Sequence, residues 1–347
     1  MTKTLTQFDD ALLAESGPAA ITFEQWLKPV GDSVFFPPTY ANPSQQKGDK
    51  PVYNIDQVGD QQVCTVDSIP SQANRIEPAF ARVAEGKLVP RVTVKAKQDD
   101  GEVEVDLLEA GHRAADAIVR FSPELKDEME QAMKALKRGD AQPLAKLAPT
   151  SLVFGVWDSR GTGVKVPRLL NSIIRAYDVH EYRRSAQYFP TIDYQQAGVA
   201  SEEKLKKAST AGMAEVPATF THGGIEAKGG ICRKGSLNLV SLRDINTPDA
   251  EEAVKLRRYI LGLSLVALTW FDGKTLNLRQ GCQLVADPDR GAYRKLVHAD
   301  GTEESFELTA AQAIEYAVAA GEAFGVGDNR TNASFDPKLA KDALKAG

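Results

Sequence analysis

Residues 151–184, SLVFGVWDSRGTGVKVPRLLNSIIRAYDVHEYRR, constrain the fold more than any other stretch of the chain. Leu152, Val153, Phe154, Val156 and Trp157 form a short apolar run rich in β-branched and aromatic residues, the pattern of a buried strand. Asp158 to Gly163 make a polar, glycine-rich turn. Pro167 suits a first helical position, where its missing N–H would be unpaired anyway. Beyond it Leu169, Leu170, Ile173, Ile174 and Tyr177 recur at helical spacing. The pattern predicts strand, turn, helix and then a second strand over Val179–Arg184. Arg160, Lys165, Arg168, Arg175, Arg183 and Arg184 occupy its exposed positions, against Asp158, Asp178 and Glu181. A rigid element with a basic, glycine-loosened turn suits phosphates. An ordinary solvated arginine face fits the same residues. The segment is not a Walker loop: Gly155 and Gly161 are too far apart and Val166 follows Lys165, so an ATPase reading fails.

The rest of the chain sets the bounds. With 347 residues, 42% of them apolar, it can bury a large core as one elaborated domain or two. A net charge of −5 excludes a global basic field, so any nucleic-acid surface must be local. Cys64, Cys232 and Cys282 are odd in number and widely spaced, which argues against a disulfide framework or zinc ribbon and fits a reducing cytoplasm. The start, MTKTLTQFDD, lacks an apolar signal core, and no apolar run is long enough to span a bilayer. The expectation is a soluble cytoplasmic protein with no membrane partner.

Taken in order, Phe8–Glu15 reads as a short helix and Ile21–Leu27 as an ordered segment anchored by Trp26. Residues 31–50 form an irregular loop rich in Pro, Gly and Asn. Gln62–Val66 is a strand. Asp67, Ser68 and Ser71 are candidate caps for a helix running from Gln72 to Ala84, with Ile76, Phe80 and Val83 inward. Its first turn presents Ser71, Gln72, Asn74 and Arg75, where unpaired amides and the helix dipole favour an anion, though an ordinary capped helix is the slightly stronger reading of the same residues.

Leu88–Lys97 and Val103–Leu107 alternate around Asp100-Gly101, a hairpin signal. Gly111-His112-Arg113 leads to a charged, peripheral helix over Pro123–Arg138. Ser201–Ala208 is a short polar helix. Repeated glycines at 223–224 and 229–230 precede a strand over Leu237–Leu242, with Lys228, Arg233, Lys234 and Arg243 around it and Ser236 beside them. Such glycines let a ribose-phosphate chain approach closely. Ala250–Phe271 is the longest helix, Leu276–Val285 a strand carrying Arg279, Tyr293–Val297 another, and Ala310–Gly321 a late helix. The tail from Gly325 is expected to fray. This mixed order predicts α+β, with helices on one side of a largely antiparallel sheet around a decorated ferredoxin-like core.

The four histidines, His112, His180, His222 and His298, have no metal-binding spacing. His112 or His180 offers acid–base chemistry, though a lone histidine is more often a surface or hydrogen-bonded core residue. There is no G-x-S-x-G elbow and no dinucleotide-binding glycine fingerprint.

Several stretches together carry more information. VDSIPSQANRIE (66–77), AGHRAADAIVRFS (110–122), the central segment over 151–179, GGICRKGSLNLVSLR (229–243) and NLRQGCQLV (277–285) resemble, in this order, the CRISPR-associated RAMP-superfamily backbone subunit of type I-G (formerly I-U) Cascade effectors. The resemblance spans most of the chain from about Phe23 to Val285. It implies one RRM-like palm with finger and thumb-like hairpin insertions near 31–60, 88–140 and 185–230, and a flexible tail over 326–347.

It further implies a subunit that is not an enzyme and uses no cofactor or metal. Copies would line up head to tail along a crRNA guide whose bases pair with target DNA. The remaining partners would be the large subunit, a guide-end or processing subunit, and a helicase-nuclease recruited later. RNA-backbone candidates on the matching motifs are Ser71, Gln72, Asn74, Arg75, Arg160, Lys165, Arg168, Lys228, Arg233, Lys234 and Ser236, with Arg113, Arg243 and Arg279 as alternatives that structural ion pairs would also explain. The runner-up is a RAMP-type metal-independent endoribonuclease that cuts precursor crRNA with His112 or His180.

Overall fold

The computed structural model describes residues 2–44, 50–194, 196–199, 211–213 and 216–346. It is a mixed α+β fold organised by one large antiparallel sheet, consistent with a ferredoxin-like palm. At its centre the first strand, Ala20–Pro29, pairs with the long strand Val216–Asn238, which pairs in turn with Leu170–Tyr188. The strand Gln61–Asp67 extends one side, and the hairpin of Leu276–Arg279 and Cys282–Ala286 the other. Strand Ala292–Val297 also pairs with the first strand.

Alternation explains the sheet. In the first strand Ile21, Phe23, Gln25 and Leu27 are buried while Thr22, Glu24 and Trp26 are half-buried on the other face. Leu170, Ser172, Ile174 and Ala176 continue the inward face, and Asn171, Ile173, Arg175 and Tyr177 the outward one. Against the inward face lies a core that includes the helix Ala250–Thr269, buried without interruption from Tyr259 to Thr269. Asp249 caps that helix by accepting from the Glu251 and Glu252 amides. Tyr259 stacks on Phe324 of the helix Ala310–Phe324 at 5.0 Å and donates to the Leu88 carbonyl.

Several elements differ from the sequence reading. The apolar run ending at Phe154 is a short helix, Thr150–Phe154, and only Val156–Trp157 is extended. The segment after Pro167 is a strand, not a helix. Ile173 and Tyr177 are apolar residues on the outward face, and together with the inward set they imitate an i, i+3, i+4 pattern. The expected second strand over Val179–Arg184 is its continuation past a bulge at Asp178, whose φ is +49°.

The helix near Gln72 starts earlier, at Ile69 under a Ser68 cap, and gives way after Ile76 to 3-10 turns around Pro78. Ile76, Phe80 and Val83 are buried as expected. The strand placed over Leu237–Leu242 ends at Asn238, whose side chain caps a helix over Leu239–Arg243. The strand carrying Arg279 is a hairpin. The charged helix Pro123–Lys137 is not merely peripheral, since Leu125, Met129, Ala132 and Met133 are core residues.

The hairpin Val92–Gln98 with Gly101–Asp106 forms as read; Lys95 stands opposite Glu104, and its Nζ lies 3.9 Å from the Glu102 carboxylate on the diagonal. The tail expected to fray supplies a strand, Arg330–Ser334, parallel to that hairpin, and a helix, Pro337–Ala346. The polar helix read over Ser201–Ala208 lies outside the described residues.

Candidate nucleic-acid interface

The central turn becomes a site because of how residues 154–168 double back. Gly155 has φ +79°, and a Cβ there would lie 2.9 Å from the Val166 carbonyl oxygen and 3.1 Å from the Arg168 nitrogen. Only a residue without a side chain lets these two passages touch. Val156–Trp157 then pairs with Lys165–Val166. Asp158 closes the intervening turn, its carboxylate accepting from the Thr162 amide at 2.7 Å and the Thr162 hydroxyl at 2.8 Å. The one carboxylate of the turn is thereby spent inside it, and Arg160 and Lys165 stay exposed.

Between this hairpin and residues 111–120 opens a cleft of about 510 Å³. His112, Arg113, Arg120, Arg160, Lys165 and Arg168 contribute to its lining, and among the described residues no carboxylate does. Trp157 forms part of the wall with 63% of its surface exposed, and Lys165 Nζ lies 5.4 Å from its ring. Arg120 donates to the Ala115 carbonyl at 3.2 Å.

Arg113 is 3% exposed and anchored behind the cleft. Its Nε donates to Glu77 at 2.7 Å, with Gly155 O and Asn74 Oδ1 each 3.3 Å from its other nitrogens. Burial pushes the Glu77 carboxyl up to about 7 against the opposing pull of Arg113. Arg168 has the contrary problem: its Nε is buried without a hydrogen-bond partner among the described residues. Burial first, and the positive charge of Arg113 second, push the Arg168 guanidinium below its usual range. A desolvated donor beside a like charge is stabilised by an incoming anion. The cleft therefore has the chemistry of a phosphate site with one aromatic wall.

The residues singled out from sequence divide by location. Arg113, Arg160, Lys165 and Arg168 meet at the cleft, and Asn74 joins them through Arg113. Lys234 and Ser236 lie on the outward sheet face, where Lys234 stands opposite Glu24 and Ser236 opposite Thr22. Lys228 is exposed beside the bulge in the long hairpin. Ser71 is half-buried in the first helical turn. Arg75 is tied to Asp67 at 3.0 Å and to the Leu278 carbonyl at 3.0 Å.

Four others hold the fold. Arg233 is 1% exposed; its nitrogens face Gln72, Ser172, Gln25 and the Leu268 carbonyl, and its guanidinium lies over the Phe23 and Phe271 rings at 4.7 and 5.0 Å. Gln72 is fully buried in that knot and also donates to Asp67. Arg243 donates to the Leu12 and Pro18 carbonyls, and Arg279 to that of Pro37.

The sequence reading missed Trp157 as an exposed wall, because its apolar run was read as buried throughout. A strand of alternating faces beside Gly155, with Val156 inward, was the available signal. His112 lines the cleft, whereas His180 lies in the long hairpin opposite Glu226. Among the described residues no group of three or more His, Cys, Asp or Glu is placed to hold a metal ion, and no helix is long and apolar enough to cross a membrane.

No curated protein matches the chain. Residues 21–181, just under half of the chain and the stretch that holds the whole cleft, match the family model described as CRISPR-associated protein GSU0053 (Cas_GSU0053), and this supports reading the protein as a CRISPR-associated protein.

Proposed function

We propose that this protein is a non-catalytic crRNA-binding backbone subunit of a type I-G Cascade complex. Copies assemble head to tail along the guide and leave its bases free to pair with target DNA in antiviral defence. The observation that carries this reading is the cleft: among the described residues, cationic side chains without a lining carboxylate, a desolvated Arg168 donor lacking a partner, and an exposed tryptophan. Phosphates neutralise the cations, the indole offers a stacking face, and neither contact reads sequence.

Other Cascade subunits, namely the large subunit and the guide-end or processing subunit, complete the assembly. A helicase-nuclease joins after target recognition. The resemblance of the motif set to type I-G backbone subunits supports this choice of partners.

His112 in the cleft gives the nuclease alternative its one point of support. Cleaving a phosphodiester by acid–base catalysis uses one group to accept a proton and another to donate one. His112 is the only histidine lining the cleft among the described residues.

The test is to express the protein with its CRISPR array and partner subunits, and to follow protein and nucleic acid through size exclusion. A large species holding RNA of discrete length, stable to mild salt, is expected. A nucleic-acid-free monomer or dimer would sink the reading. Cleavage of repeat RNA in EDTA that is lost in His112→Ala would install the nuclease instead.

A further inference from the structure

The outward face of the sheet carries aromatic and cationic side chains that the cleft does not use. Trp26 stands opposite Cys232, and Tyr177 opposite Gly230; their ring centroids are 6.3 Å apart with planes inclined at 49°. With Lys234 they wall a hollow of about 240 Å³. Glu24, Gln61, Gly229 and Cys232 complete its lining. A Cβ at Gly229 would lie 2.9 Å from the Tyr177 backbone, and one at Gly230, where φ is +89°, would meet Arg290 and the Trp26 ring.

Each ring already has a cation beside it. Lys234 Nζ is 5.1 Å from the Tyr177 centroid, and the Arg290 guanidinium is 4.5 Å from that of Trp26. Arg290 is held in place by donating to the Gly229 carbonyl at 2.7 Å. Arg175 is exposed on the same face, opposite Cys232. Glu24 is the only carboxylate lining the hollow among the described residues, and the Tyr293 hydroxyl hydrogen-bonds to it.

We propose that this hollow is a base-stacking platform for one nucleotide of single-stranded RNA, with the adjoining phosphates on Lys234 and Arg175. The inference rests on the RNA-binding reading above and adds a second contact on a different face. Three observations carry it: the rings are half-exposed on an antiparallel face, the glycine pair lets Tyr177, Trp26 and Arg290 close on the backbone, and a cation stands beside each ring. Aromatic rings and arginine planes on a sheet are a general means of holding unstacked RNA bases.

The experiment titrates the full-length protein with a labelled single-stranded oligoribonucleotide of mixed sequence at several salt concentrations. Trp26→Ala and Tyr177→Ala should each weaken binding by about five- to 150-fold, without changing the salt slope, because stacking releases no counterions. Tyr177→Phe and Trp26→Phe should retain most of the affinity. Trp26→Leu, which keeps apolar bulk but no ring, should lose it, and so separates loss of stacking from loss of fold. Lys234→Ala should make the slope shallower by about 0.7.

Wild-type binding by the ring variants, while Lys165→Ala and Arg168→Ala lose affinity, would overturn the platform and leave the cleft reading standing. Unchanged RNA affinity with altered self-association of Trp26→Ala would also overturn it and assign the hollow to a second copy of the chain. Absence of RNA binding by the wild-type protein would remove both proposals.

Discussion

Arg233 and Arg168 look alike in the sequence, each a basic residue within reach of glycines, yet they sit in opposite surroundings. Around Arg233 the guanidinium meets neutral acceptors from Gln72, Ser172, Gln25 and the Leu268 carbonyl, between two phenylalanine rings. Burial still pushes it down to about 10. Around Arg168 a buried Nε has no acceptor among the described residues, and the nearby charge is that of Arg113. A buried cation whose donors are met holds a fold together. One whose donor is left open is completed by a ligand.

The largest effect is expected at the closed knot. Arg233→Ala removes a large core side chain and strands several buried acceptors, costing about 3–5 kcal/mol in denaturant unfolding. The salt slope of RNA binding by the folded fraction should not change. Arg233→Met should recover part of the loss by refilling the space. A loss under about 1 kcal/mol for Arg233→Ala would break the contrast.

The next effect lies between the two regions. The folded-state value for Glu77, about 7, stands above its ordinary 4.5, so in that window the folded chain holds a proton that the unfolded chain has released. This contribution to stability is complete below pH 4.5 and is lost as pH rises through about 7. Unfolding measured across the window should show a decline on the order of 1–3 kcal/mol that Glu77→Gln flattens. A Glu77→Gln profile parallel to wild type would show that Arg113 keeps the carboxylate charged throughout.

At the open cleft the sign should reverse. Arg168→Ala relieves a like-charge contact, so the free protein should melt no lower than wild type, whereas RNA affinity should fall about three- to tenfold. The salt slope should become shallower by about 0.7 for each lost phosphate contact, and Lys165→Ala should behave alike. Destabilisation of the free protein by Arg168→Ala would place it with Arg233. Smallest of all, His112→Ala should leave RNA retention within about twofold of wild type, because Arg113, Arg120, Arg160, Lys165 and Arg168 still line the cleft.

Local chemistry made part of this legible. Asp100-Gly101 between alternating apolar residues gave the hairpin, and the apolar run from Ala250 onward gave the long helix. Gly155 and the turn after it marked the site. Local chemistry failed where two faces of one element were both apolar: Ile173 and Tyr177 face outward and Leu170 and Ile174 inward, and their mixture reads as a helix. It failed also at Thr150–Phe154, where a fully buried short run carries no period to separate helix from strand.

By itself the sequence determined the α+β character, the caps and turns, and the family resemblance, because each is set by residues close together in the chain or by their order. Only the tertiary structure decided which arginines face solvent. Arg233 is enclosed by Gln72, Gln25 and Leu268 from distant parts of the chain, while Arg168 feels the charge of Arg113 and, among the described residues, no acceptor is brought to its Nε. The environment of a charge is made by non-local packing, and the residues that neutralise it or leave it open are named only once the sheet has closed.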